Sequence, residues 1–199
     1  KAYASVKRSL KKLGTGYADL ILVHQPFGDY YGTYRALERA MEEGLTRAIG
    51  VSNFRPDRYY DLVQHCKITP MVNQLEANVL SQQTEIREVM KEYGTKVMAW
   101  GPVAQGKADI IENEALEELG KKYGKSAAQI GLRFLTQEGI AAIPKSSNPE
   151  RIAANIDIFD FELNEEEMTV LRAMNATDAG TRDYSYLPYV SKLIGQKVL

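Results

Sequence analysis

The sequence predicts an α/β fold: a (β/α)8 TIM barrel in incomplete form, with about five C-terminal βα units (strands 4–8) and the helix that precedes them. Three observations carry this. Short apolar runs alternate with longer helical patterns, as in βα units around a parallel sheet. The centre of the first run, Leu20 to Val23, is continuously apolar, which suits a strand covered on both faces. Each run turns polar at its C-terminal end, where parallel α/β sheets keep their ligands. A full barrel takes ~250 residues, so in a chain of 199 roughly the first three strand units are expected to be absent. The reading is of one domain spanning 1–199.

The elements follow in order. Val6, Leu10 and Leu13 share a helical face that Gly14 closes. Ala18 to His24 reads as a strand that Pro26 ends. Tyr34, Leu37 and Met41 mark a helix closed by Gly44, and Ala48 to Val51 a strand. Pro56 can open the next helix in its first turn. Met71 to Leu75 and Lys96 to Trp100 read as strands on either side of a helix with Ile86, Val89, Met90 and Tyr93 on one face. Ser126 with Gln129 predicts a capping box for a helix reaching about Glu138, before a strand from Ile140 to Ile143. Asn148-Pro149 starts a helix through Asn155, and Asn164 with Glu167 starts another. The tail from Thr177 shows no clear period. An open doubly wound sheet would call for a GxGxxG loop after its first strand, and the chain has none.

Composition narrows the function classes. A net charge of −1, with Lys and Arg scattered among Asp and Glu, gives no electrostatic drive toward nucleic acid or anionic lipid. The longest apolar runs fall far below the ~20 residues of a membrane span, so a soluble, cytoplasmic protein is expected. Cys66 is the only cysteine, which rules out an intrachain disulfide and a thiolate metal cluster. No metal site is expected. The chain opens on Lys1 inside a helical pattern, as a processed or partial polypeptide would.

Five strand ends carry polar residues: His24-Gln25-Pro26, Ser52-Asn53-Phe54, Asn73-Gln74, Trp100-Gly101-Pro102 and Lys145-Ser146-Ser147-Asn148. His24 is placed to donate to a substrate oxygen, or to pack as a structural histidine. Ser52, Asn53 and Gln74 suit a carboxamide, which needs donors and acceptors together, and equally suit turns and caps. Trp100 offers a flat ring for stacking, or for the core. Asn148-Pro149 sets a helix N-terminus beside Lys145, Ser146 and Arg151, a sound anion site and equally a solvated helix start.

The segments LGTGYADLILVHQP, AIGVSNF, VNQLEANVL, AWGPVAQG and IPKSSNPERIAANIDIFDFEL resemble those of the aldo-keto reductases, in that family's order and over nearly the whole chain. The resemblance implies a compact bacterial-type reductase that moves a hydride between NADP(H) and an aldehyde, ketone or sugar-like carbonyl. It gives His24 the role of orienting the carbonyl. It gives Ser52, Asn53 and Gln74 the nicotinamide amide, and Trp100 the nicotinamide face, where many members carry Tyr. The turn of Gly101, Pro102 and Val103 joins the cofactor site, and Lys145, Ser146, Ser147, Asn148 and Arg151 take the 2′-phosphate. Asn155 matches an adenine-contacting position. Ala154 stands where many members have Glu, which puts nucleotide selectivity in question.

The family's proton donor is a Tyr assisted by a Lys and an Asp, and the resemblance implies that these lie on the three units expected to be missing. Tyr17, Tyr30 and Tyr31 do not match that context. The expectation is therefore that this polypeptide alone is not competent, and that the missing segment is supplied by another chain, is a further portion of this one, or was lost while the remainder found compensating contacts. An alternative is a nucleotide-binding regulatory module on the same fold with little turnover; a barrel enzyme of unrelated chemistry would want paired acids or a metal cluster at the strand ends. Phe27, Tyr30, Phe54, Tyr184 and Tyr186 are candidates to line an apolar pocket, or to pack.

Overall fold

The computed structural model describes residues 1–106, 108–176 and 187–195, and these form two compact units. Residues 1–75 and 85–96 make the first unit; residues 76–84 and 97–199 make the second.

The first unit opens with α1 (Ala2–Leu13), ended by Gly14 in the left-handed conformation, as its position predicts. Strand β1 (Ala18–Val23) stops one residue earlier than the sequence suggested, leaving His24 just past the strand. Helix α2 (Tyr30–Glu42) begins a turn before its apolar stripe because the Asp29 carboxylate caps it, accepting from the Gly32 N–H at 2.7 Å. Strand β2 (Thr46–Ser52) is followed by α3 (Pro56–Val63), with proline in its first turn, and then by β3 (Val72–Glu76) and α4 (Thr84–Glu92). β1 pairs with β2 and β2 with β3, all parallel. Gly50 is required where β2 meets β3: a Cβ there would lie 2.3 Å from the Val72 carbonyl oxygen. Tyr34, Leu37, Ile49, Val51, Tyr59, Leu62 and Met90 fill the core.

In the second unit β4 (Lys96–Trp100) matches its expected bounds and pairs in parallel with a two-residue β5 (Ala141–Ala142), shorter than expected. Among the described residues three α-helices lie between them, after a short 3-10 turn at Ala104–Gly106. A short α5 (Ala108–Ile111) and α6 (Glu114–Tyr123) occupy a stretch for which the sequence reading offered nothing; α7 (Ala127–Gln137) carries the predicted Ser126/Gln129 capping box. After β5 come α8 (Pro149–Ile156), capped by Asn148, and α9 (Glu165–Ala173), whose Asn164/Glu167 capping box was also predicted. Leu116, Ile130, Leu132, Phe134 and Leu135 are buried. Leu187–Gly195 forms α10, within a tail whose sequence shows no clear period.

A loop of β3–α4 residues belongs to this second unit and is tied to α9. The Gln82 amide donates to the carbonyls of Val79 and Leu171 at 2.7 and 2.8 Å, and the Gln82 N–H donates to Asn175 Oδ1 at 2.9 Å. The Leu171 carbonyl belongs to the last turn of α9, where a helix leaves its carbonyls without intrahelical partners, and the Gln82 side chain joins it to the loop. Among the described residues no helix is long and apolar enough to cross a membrane, and no group of three or more His, Cys, Asp or Glu is placed to hold a metal ion.

Candidate functional site

The first unit brings four of the expected residues into one hydrogen-bonded cluster. Register places Val23 opposite Val51 and Ser52 opposite Gln74, so His24, Ser52 and Gln74 stand level at the carboxyl ends of β1, β2 and β3. Ser52 is fully buried, and its hydroxyl donates to the Gln74 carbonyl at 3.0 Å. The Asn53 N–H donates to that same carbonyl at 2.9 Å. Asn53 is buried in the left-handed region at φ 62°, a conformation asparagine tolerates better than most side chains. Its amide donates to Ser52 Oγ at 3.1 Å and to the His24 carbonyl at 3.4 Å. The His24 ring itself is exposed. Backbone and side-chain polar groups are thus concentrated at the end where β1 to β3 stop.

Asn73, one residue before Gln74, points the other way. It is fully buried, its amide donates to the Phe54 carbonyl at 2.7 Å, and its Oδ1 has no protein partner. This residue pins the turn that carries Asn53; the sequence marks Asn73 with Gln74 as a polar strand end but not this contact with Phe54. Tyr30 and Phe54 are buried edge-to-face against one another with centroids 5.3 Å apart, so they pack rather than line a pocket. Tyr184 and Tyr186 lie outside the described residues.

The second unit holds the remaining candidates in two places. Trp100, half-buried, ends β4, and its carbonyl accepts from the Ala77 N–H at 3.2 Å. Gly101, Pro102 and Val103 then form a tight turn, in which the Ala104 N–H donates to Gly101 and the Gly106 N–H to Val103, at 2.9 and 2.8 Å. Ala104 and Gln105 both sit at positive φ, 45° and 61°. Strain of that kind persists only where the surroundings impose it, and functional turns are where it collects.

The second place is the start of α8. The Asn148 carboxamide oxygen accepts from the Arg151 N–H at 3.0 Å, so this side chain is spent on capping. Ser146 Oγ accepts from the Asn148 N–H at 3.1 Å and from Arg151 Nε at 3.4 Å. Lys145, Ser147 and Arg151 are exposed. A cavity of about 490 Å³ opens between α7 and α8, lined by Lys145, Ser146 and Asn155 and by an apolar wall that includes Leu132, Ile152 and Phe159. Three of the predicted residues thus share one cavity. Its apolar wall was not anticipated: nothing in the sequence marks Leu132, Ile152 and Phe159 as neighbours.

A cavity with an apolar wall, an amide from Asn155 and the Lys145 ammonium at its edge has the chemistry to take an aromatic base joined to an anion. Comparison with known proteins decides the family. The model of the aldo/keto reductase family matches residues 1–176. The chain belongs to the aldo/keto reductase family. It is 44% identical over 177 residues to a 9,11-endoperoxide prostaglandin H2 reductase of Trypanosoma cruzi, covering 88% of this chain and 62% of that one. It is 43% identical over 173 residues to a glyoxal reductase of Bacillus subtilis, covering 86% and 62%. The crystal structure of an aldo-keto reductase from a deep-sea metagenome library of the Medee basin superposes with a TM-score of 0.88 at 38% identity, over 93% of this chain and 69% of that one. An aldo-keto reductase of Bombyx mori in complex with NADP gives 0.83 at 36% identity, over 92% and 66%. The chain spans about 62% of the length of the curated relatives it matches. Family members are (β/α)8 barrels, and the parallel strands and helices described above are consistent with part of that plan.

Proposed function

We propose that this aldo/keto reductase chain binds NADP(H) and serves the transfer of a hydride between that cofactor and a small aldehyde, ketone or sugar-like carbonyl. The observation that carries the proposal is the cavity between α7 and α8, where Lys145 and Ser146, just before α8, and Asn155, in its last turn, meet an apolar wall. Asn155 and the apolar wall would take the adenine. Lys145 and Arg151 would hold the 2′-phosphate by charge-assisted hydrogen bonds, with the α8 N-terminus adding its partial positive charge. At the strand ends of the first unit, Ser52, Asn53 and Gln74 would grip the nicotinamide carboxamide. Trp100 would present a stacking face, and the turn of Gly101, Pro102 and Val103 would bring backbone N–H groups to the cofactor. His24 would orient the substrate carbonyl and donate to its oxygen as negative charge develops there. The bound cofactor supplies the hydride chemistry.

Of the acid-base group that the family resemblance implies, these 199 residues contribute His24, so the polypeptide by itself should bind cofactor without efficient turnover. Titration of Trp100 fluorescence with NADPH, beside an aldehyde-reduction assay, tests both statements. Quenching with no turnover supports them. Failure of NADPH to bind, when NADH is the control, sinks the cofactor assignment, and reduction at an ordinary enzymatic rate sinks the second statement.

A further inference from the structure

The geometry points to Asp61 as the residue that positions the His24 loop, acting through Tyr30 and Tyr31. This rests on the role proposed for His24. The loop leaves β1 at His24 and enters α2 at Tyr30, and both of its ends are fastened to the same β2–α3 segment. At one end, the Asn53 amide donates to the His24 carbonyl. At the other, the rings of Tyr30 and Tyr31 stack with centroids 4.6 Å apart, and both hydroxyls converge on one oxygen of the Asp61 carboxylate. Tyr30 donates to it at 3.2 Å, and Tyr31 is the closer of the two.

Two further side chains surround this cluster. Arg58, on the same helix, reaches the Tyr30 hydroxyl at 3.4 Å. His65, one turn further along, has its Nδ1 2.8 Å from the Asp61 carbonyl and 3.8 Å from the carboxylate, and packs its ring against Tyr31. Burial of the Tyr30 ring against Phe54 would be served as well by phenylalanine. What the two phenols and the carboxylate add is direction: hydrogen bonds fix where the first turn of α2 lies relative to α3, and packing alone does not. Asn53 and Phe54 precede α3 directly, so the position of His24 is referred to the residues assigned to the nicotinamide amide. Misplacement by about 1 Å at such a group costs on the order of 10²-fold in rate. Half-exposed ion pairs and hydrogen bonds contribute little to global stability, so removing Asp61 should free the loop without unfolding the chain.

The test uses the 199-residue chain, whose two histidines give two sets of imidazole ring signals by NMR, assigned with His65→Gln. In Asp61→Ala, the His24 signals should shift or broaden, and amides 24–32 should exchange with solvent about tenfold faster, while the interior of α2 from Tyr34 to Ala40 keeps its protection. Asp61→Asn, which retains an acceptor for the phenols, should restore most of both. Tyr31→Phe should reproduce part of the Ala effect, and decides the matter if Asp61→Ala does not fold. Unchanged His24 signals with unchanged loop exchange would overturn the proposal. So would faster exchange throughout the unit, which would make Asp61 a general stability residue. Neither readout needs cofactor: a chain that fails to bind NADPH yet shows the loop effect refutes the functional assignment and leaves the positioning role standing.

Discussion

Asn53 reaches back from the end of β2 to the main-chain carbonyl of His24, with 3.4 Å between its amide nitrogen and that oxygen, and it does so from a left-handed backbone. The side chain and the φ angle are separable. Asn53→Gly keeps the backbone at ease and removes the hydrogen bonds to His24 and Ser52, so it should cost about 1 kcal/mol. Asn53→Ala loses the same bonds and adds the left-handed penalty for a Cβ, for a total of about 2–3 kcal/mol. Urea unfolding of the two variants checks the order. If Ala proves as stable as Gly, the strain at this position is not real.

The 2′-phosphate assignment predicts a selective loss. Lys145→Met and Arg151→Met should each weaken NADPH binding about tenfold or more, at roughly 1.5–3 kcal/mol for a hydrogen bond to a charged group. Binding of NADH, which lacks that phosphate, should change little, and the NADPH affinity of the parent chain should fall as salt rises. Equal losses for both nucleotides, measured by calorimetry, would move the phosphate elsewhere.

Much of this architecture is written in local signals. The capping boxes at Ser126 and Asn164 and the glycine stop at Gly14 were all legible because each depends on residues within a few positions of one another. Helix α6 is equally local: Asn113 accepts from the Leu116 N–H, Glu114 and Glu117 follow, and Lys121, Lys122 and Gly124 close it, so its signal too is present in the sequence. The roles of Asn73 and Asp61 were not legible in that sense. Their partners, Phe54 and Tyr30 with Tyr31, lie 19 to 31 positions away, and only the folded register brings them together. The same holds for the cavity wall, since Leu132 on α7 and Ile152 on α8 look like any other apolar helical positions.

Glu38 is a buried carboxylate whose work is structural. It lies in α2, and one of its oxygens accepts the N–H groups of Lys67 and Ile68 at 2.6 and 2.9 Å, while the Tyr34 hydroxyl donates to the Ile68 carbonyl at 2.9 Å. Glu38→Ala strands two backbone donors and should destabilise the first unit by about 2–3 kcal/mol; Glu38→Gln keeps an acceptor and should cost about half as much. Denaturation curves for the pair decide it. Equal costs would mean that the oxygen is not the feature that matters.

A pH dependence follows from the contacts of Lys125. Its ammonium lies 2.8 Å from a carboxylate oxygen of Asp157 and 2.8 Å from one of Asp160, and its stem is almost wholly covered. The hydrogen bond from Lys125 holds the Asp160 carboxyl below its ordinary range, and the hydrogen bonds to Asp157 and Asp160 hold the lysine above its own. A depressed acid contributes stability that is present above its unfolded value, about 3.9, and is lost as pH falls through the lower folded value. A raised lysine contributes stability that is complete below about 10.4 and is lost as pH climbs through the higher folded value. The melting temperature of the parent chain should therefore exceed that of Lys125→Met by a constant margin between about pH 5 and 9. That margin should shrink on the acid side below the ordinary carboxylate range and on the alkaline side above the ordinary lysine range. The carboxylates are largely exposed, so salt should narrow the plateau margin as well. A margin that stays flat down to the lowest pH at which the chain folds would show that the carboxylates contribute none of the effect, leaving it to the covered stem and to the ammonium, which lies 5.7 Å from the Phe161 ring centroid.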